Sequence, residues 1–191
     1  IPRTVQTIAQ RSEPLAPAVA PITNLPFDQL RPRTAYNATA NGYLAVWEHA
    51  YSATDYDIYA RRVDAGGVPL GAEIGIVTTN IHQNHPDVAA NPTANEYLIV
   101  WEHEYSTTDH DIHAWRMTSA GTLIGNELVI AADTAFESYP VVAYNPLSNE
   151  YLVVYQRRVG SDEFAQYDIY AQRVHPEGVL IDSPILASGS T

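Results

Sequence analysis

Apolar and polar positions along the chain fall into short runs that recur. Tyr43, Leu44, Ala45, Val46 and Trp47 are followed by Glu48 and His49, then by a polar gap, then by Asp55, Tyr56, Asp57, Ile58 and Tyr59. The same order returns at Tyr97 to His103 with Asp109 to His113, and again at Tyr151 to Arg157 with Tyr167 to Tyr170. Pro32, Pro86 and Pro140 keep a spacing of 54, as do Asn37, Asn91 and Asn145. From Tyr43 to Asp57 the first two copies agree at 11 of 15 positions. Asp57 to Asp111 is again 54, but Asp111 to Asp168 is 57, so the third copy carries three extra residues. Insertions collect in exposed connections, which places a loop before that aspartate in every copy.

Each copy reads as four short strands. In the second these are expected over 87–90, 96–104, 111–117 and 126–131, rich in Val, Ile, Tyr and Trp and bounded by Asn–Pro, Ser–Thr–Thr–Asp and Ala–Gly turn chemistry. Tyr97 to Trp101 is apolar at every position, which fits a central strand buried on both faces. On the third strand Ile112, Ala114 and Arg116 share one face, and Asp111, His113, Trp115 and Met117 the other. A four-stranded unit repeating every 50 or so residues is the signature of a propeller blade. The expected fold is all-β, a β-propeller-like array of three four-stranded antiparallel blades. A β-sandwich is the alternative.

Three blades are fewer than the four to eight of closed propellers. Either the N-terminal segment or oligomerisation completes the ring, or the chain is a segment of a longer propeller, or the array is open. Residues 1–30 are interrupted by Pro14, Pro17, Pro21 and Pro26 and read as a Pro-rich leader or as a partial blade. The second reading aligns Ile8, Ala9, Gln10 and Arg11 with Tyr170, Ala171, Gln172 and Arg173. The full units are expected at 31–85, 86–139 and 140–191.

Charge narrows the partners. The net charge is −12, and all ten cations are arginine. Phosphate neutralisation needs a basic surface, so nucleic acid is excluded as a natural partner, and anionic membrane surfaces are disfavoured. No apolar run reaches the roughly 20 residues of a membrane helix. Cysteine is absent, which removes disulfides, thiolate metal sites and a cysteine nucleophile.

The pattern Asn149, Glu150, Tyr151, Leu152, Val153, Val154, then Asp168, Ile169, Tyr170, Ala171, Gln172, Arg173, Val174, then Gly178, resembles repeats of secreted and cell-surface bacterial proteins with β-propeller-like folds. Their consensus looks like N-E-Y-L-V-V-W, D-x-D-I-Y-x-x-R-V and a Gly turn, and the resemblance covers residues 31–191. It implies a propeller-like fold and an extracellular or cell-surface location in a bacterium, and it transfers no catalytic motif. The third copy departs at Tyr155 and Gln166, where the others carry Trp and Asp.

Several constellations could carry chemistry. Asp55 with Asp57, and Asp109 with Asp111, offer hard oxygen ligands for Ca²⁺, the one ion this reading raises; no other cofactor is implied. The competing reading has Asp57, Asp111 and Asp168 opening the third strand and accepting backbone amides. Ser161, Asp162 and Glu163 could substitute in the third copy. Arg62, Arg116 and Arg173 recur in all copies and are expected to anchor buried or inter-blade carboxylates. His49 and His103 follow Glu48 and Glu102, and His110 and His113 add a second cluster; imidazole and carboxylate together suit a transition metal. Against this, His110 and His113 replace Tyr56 and Tyr59, which fits a surface-tolerant aromatic-sized position. Trp47 and Trp101 are expected in the core. Trp115, unmatched in the other copies, is the better candidate for an exposed aromatic and, with His110 and His113, for ligand binding.

No nucleophile elbow and no phosphate-cradling glycine loop is present. The first expectation is therefore a non-catalytic extracellular module that binds a protein partner or associates with itself. A glycan-binding module, with Ca²⁺ where the acidic pairs allow, is the alternative, and a glycoside hydrolase-like enzyme the second alternative.

Overall fold

The computed structural model describes residues 20–132, 135–160 and 166–188. The proposed match of residues 8–11 to a blade strand, and the substitute ligands at 161–163, lie outside them.

The chain forms three four-stranded antiparallel sheets, each a simple up-and-down meander. The first holds β1 (Asp28–Asn37), β2 (Gly42–Ser52), β3 (Asp55–Asp64) and β4 (Pro69–Val77). The second holds β5 (His82–Asn91), β6 (Glu96–Ser106), β7 (Asp109–Thr118) and β8 (Leu123–Ala131). The third holds β9 (Glu137–Asn145), β10 (Glu150–Val159), β11 (Gln166–Val174) and β12 (Leu180–Ser188). The expected blade array is what forms. β5 packs beside both β1 and β9, so the sheets stack face to face from neighbouring first strands.

The first strands start ahead of the repeat marks at 31, 86 and 140. Each proline sits inside a strand, not at its beginning. The residue before it, Arg31, His85 or Tyr139, has positive φ (47°, 48° and 53°), and the pairing register shifts there in all three sheets. The strand therefore continues through a bulge. The turn after each first strand is closed by the repeated asparagine. Asn37 Oδ1 accepts the amides of Thr39 and Ala40, Asn91 Oδ1 that of Ala94, and Asn145 Oδ1 that of Leu147.

Strand alternation sorts side chains into two cores. Leu44, Val46, Ile58 and Ala60 of the first sheet meet Tyr97, Ile99, Trp101 and Met117 of the second. Leu98, Val100, Ile112 and Ala114 on the opposite side of the second sheet meet Tyr151, Val153, Tyr155 and Val174 of the third. The all-apolar run of β6 is thus buried on both faces, which only an inner strand of the middle sheet can be.

Candidate functional site

The repeat assigns several residues to joining the sheets. Glu48 and Glu102 are fully enclosed at the far end of their strands. Glu48 accepts the amide of His85 at 2.6 Å and pairs with Arg31 at 2.5 Å. Glu102 accepts the amide of Tyr139 at 3.2 Å, and His85 and His110 approach it at 3.0 and 2.5 Å. Burial is the largest influence on the Glu102 carboxyl and pushes it up, but the His110 and His85 hydrogen bonds, the His85 charge and the Tyr139 amide outweigh it and hold it at about 2. Each glutamate therefore fastens the positive-φ bulge of the next sheet. The sequence pattern flagged the histidines after these glutamates and missed the glutamates themselves; their recurrence before a histidine was the available signal.

The recurrent arginines divide. Arg116 grips Glu96 with two nitrogens, Nη2 at 2.8 Å and Nε at 3.3 Å, and Arg173 grips Glu150 likewise at 2.7 and 3.2 Å. In the first sheet the residue at the Glu96 position is Gly42, so the expected anchor is missing within that sheet. Arg62 instead lies under the second sheet's β7–β8 turn, where a Cβ on Gly121 would stand 3.3 Å from its Nε. Arg116 lies in the same way under Gly178 of the third sheet.

The acidic pairs sit at strand starts and not in a loop. Asp57 is buried, and its Oδ1 accepts the Thr79 amide at 3.2 Å. Burial is the main cause that lifts its carboxyl to about 6, with the Asp55 charge adding and the Thr79 bond opposing. Asp111 and Asp168 are buried at the same register, and Asp109 is half-buried. Neither Asp55 with Asp57 nor Asp109 with Asp111 gathers a third liganding side chain among the described residues.

Three aromatic-sized candidates differ from the surface expectation. Trp115 is half-buried against the first core with its indole nitrogen enclosed, because its face of β7 is turned to the first sheet. His110 is buried, held by Glu102 and tilted against Phe136 with ring centroids 3.9 Å apart, because its face is turned to the third sheet. His113 is also buried but on the other face, where it meets His103 of β6 and Glu127 of β8. The ligand atoms of these three all lie within 4.8 Å of one another. Burial is the main cause that takes the His103 imidazole down to about 4, assisted by His113 and opposed by Glu127. Its neutral form therefore prevails at pH 7, the form that ligates metals.

A cleft of about 440 Å³ opens between the β8 edge of the second sheet and the third sheet. Tyr155 and Tyr170 line it as a stacked pair 6.0 Å apart, with the Arg157 guanidinium 5.3 Å from the Tyr170 ring. Gln172 and Asp182 complete its polar wall.

No family model matches the chain. No curated protein matches it either. Among solved structures it is similar to the endo-arabinase of Bacteroides thetaiotaomicron, at TM-score 0.52 and 11% identity. That likeness covers 78% of this chain, which spans 59% of the length of the arabinase chain, and at this identity it extends to the fold alone.

Proposed function

We propose that this chain is a non-catalytic, extracellular interaction module that assembles by adding a further sheet to the outward face of its third sheet. One observation carries the reading. Leu44 and Leu98 hold the same repeat position and are fully buried by the next sheet, whereas Leu152 at that position is 38% exposed. Ile185, on the same face and in register with Val154 through Ala171, is 51% exposed. Val141 stands where the second sheet has Asp87, so the third face is more apolar at that point than its covered counterpart. Gln156 occupies the place of Glu48 and Glu102 and retains a carbonyl able to accept a bulge amide from an added sheet. An apolar sheet face of this kind is stable when covered. The extracellular setting rests on the resemblance of the repeats.

The test is the mass of the purified chain in solution over a wide concentration range. Self-association that Leu152→Glu abolishes is the expected result. A chain that stays monomeric at the highest concentration overturns assembly through a second copy.

A glycan-binding reading has its own support in the Tyr155–Tyr170 cleft, since stacked aromatic faces flanked by arginine and amide groups suit sugar rings and hydroxyls, and in the fold shared with an endo-arabinase. Binding on a glycan array that Tyr170→Ala removes would support it, and a blank array would discard it.

A further inference from the structure

We propose that His103, His113 and Glu127 form a binding site for a divalent transition-metal ion, Zn²⁺ by ligand chemistry, on the side of the second sheet that faces the first. Three adjacent strands supply one ligand each. His103 comes from β6, His113 from β7 and Glu127 from β8, and strand pairing fixes their relative height. The two imidazoles stack with centroids 4.6 Å apart and planes 20° from parallel.

The polar bookkeeping of the cluster is incomplete without an ion. His103 is 7% exposed, and neither of its ring nitrogens has a hydrogen-bond partner. His113 is 5% exposed, and its Nε2 has none either, with the nearest carboxylate oxygen, that of Asp111, 3.9 Å away. Its Nδ1 lies 2.5 Å from Glu127 Oε1. Buried imidazole nitrogens are costly to leave unpaired. Two imidazole nitrogens and one carboxylate oxygen are a familiar three-ligand set for zinc, with a fourth position left for water. Ligands at about 2.1 Å from such an ion stand roughly 3.4 Å apart, so the widest separation here closes by a little over about 1 Å through side-chain rotation. Glu127 is half-exposed and gives the ion its way in.

The repeat supplies internal controls. The matching residues of the first sheet are His49, Tyr59 and Glu73, and each is already engaged. His49 Nδ1 meets Gln29 Nε2 at 2.6 Å, Tyr59 shares a hydroxyl contact with Tyr51 at 2.9 Å, and Glu73 accepts from Arg61 at 3.4 Å. In the third sheet the positions hold Arg157, Tyr170 and Pro184. Among the described residues two imidazoles and a carboxylate come together in the second sheet alone, which is the difference a metal site would require.

Calorimetric titration of the purified chain with ZnCl₂ tests the site, read together with the visible spectrum of the Co²⁺ form. One ion per chain is expected, with the intense bands of tetrahedral Co²⁺ and no competition from Mg²⁺ or Ca²⁺. His113→Tyr copies the first sheet and should weaken Zn²⁺ at least about tenfold, as should Glu127→Gln. Circular dichroism reports whether each variant folds, and Glu127→Gln, at a half-exposed position, decides the matter if His113→Tyr does not. His175→Asn, on an exposed turn, should leave binding unchanged. Absence of saturable Zn²⁺ binding overturns the proposal, as does binding that survives Glu127→Gln in full or is lost with His175→Asn.

Discussion

Glu102 in β6 accepts the backbone amide of Tyr139 in β9, the one residue of that strand whose φ is positive. The same relationship joins Glu48 to His85 one repeat earlier. A buried carboxylate thus holds the bulges of the second and third sheets, and the bulge lets the proline that follows stay in the strand. Glu102→Ala strands the Tyr139 amide and leaves His85 and His110 without their acceptor. Loss of about 3–5 kcal/mol is expected in urea unfolding. Glu102→Gln keeps an acceptor for the amide and should cost less than half of that. Equal losses for the two would mean that the charge, and not the amide bond, is what matters.

The array of blades was legible because its determinants are local. A repeated apolar strand, a repeated turn asparagine and a repeated glycine turn mark every unit, and Tyr97 to Trp101 announces a strand buried on both sides. The ends of the strands were less legible, because Pro86 looks like a boundary until His85 is known to bulge. Partners across strands were least legible. His113 was visible as a candidate, but its meeting with His103 and Glu127 depends on the register of three strands and on a shift between Ile112 and His113. Trp115 looked free because no other copy carries it, yet its parity on β7 had already assigned it to the face of Met117.

Gly121 and Gly125 separate backbone strain from packing between sheets. Both have positive φ, 91° and 66°, but a Cβ at Gly121 would meet Ile74 Cδ1 at 2.8 Å, whereas none would be touched at Gly125. Gly125→Ala should cost about 1 kcal/mol from the left-handed backbone alone. Gly121→Ala carries that cost and the displacement of Ile74 and Arg62, for a total of about 2–4 kcal/mol. Thermal unfolding of the two variants side by side measures the difference, and equal losses would show that the turn does not press on the first sheet.

Asp57 gives a pH dependence with a definite sign. Its carboxyl titrates near 6 when folded, above its ordinary value of 3.8, so the native state holds the proton more tightly than the unfolded chain. Its contribution to stability is fully present below pH 3.8 and is lost as pH rises through 6. Asp57→Asn keeps an oxygen for the Thr79 amide and removes the ionisation. The variant should gain on the parent by up to about 3 kcal/mol between pH 4 and pH 7.5. A stability difference that stays flat over this range would show that the carboxylate is better solvated than its burial implies.

Leu98 and Leu152 are the same residue of the repeat in two settings, which makes them a direct measure of what a neighbouring sheet contributes. Leu98 lies in the second core with no exposure, and its truncation leaves a void that the surrounding strands cannot fill. Leu98→Ala should cost about 2–5 kcal/mol, whatever the protein concentration. Leu152 touches solvent on the open face, where a shortened side chain is replaced by water. Leu152→Ala should cost below about 1 kcal/mol in dilute solution, where the chain is alone. If a second sheet covers that face on assembly, the penalty grows as concentration rises, because only the assembled form buries the leucine. Unfolding of both variants at low and high protein concentration distinguishes the cases: a Leu152→Ala penalty as large as that of Leu98→Ala in the dilute monomer would mean that the face is already covered within one chain.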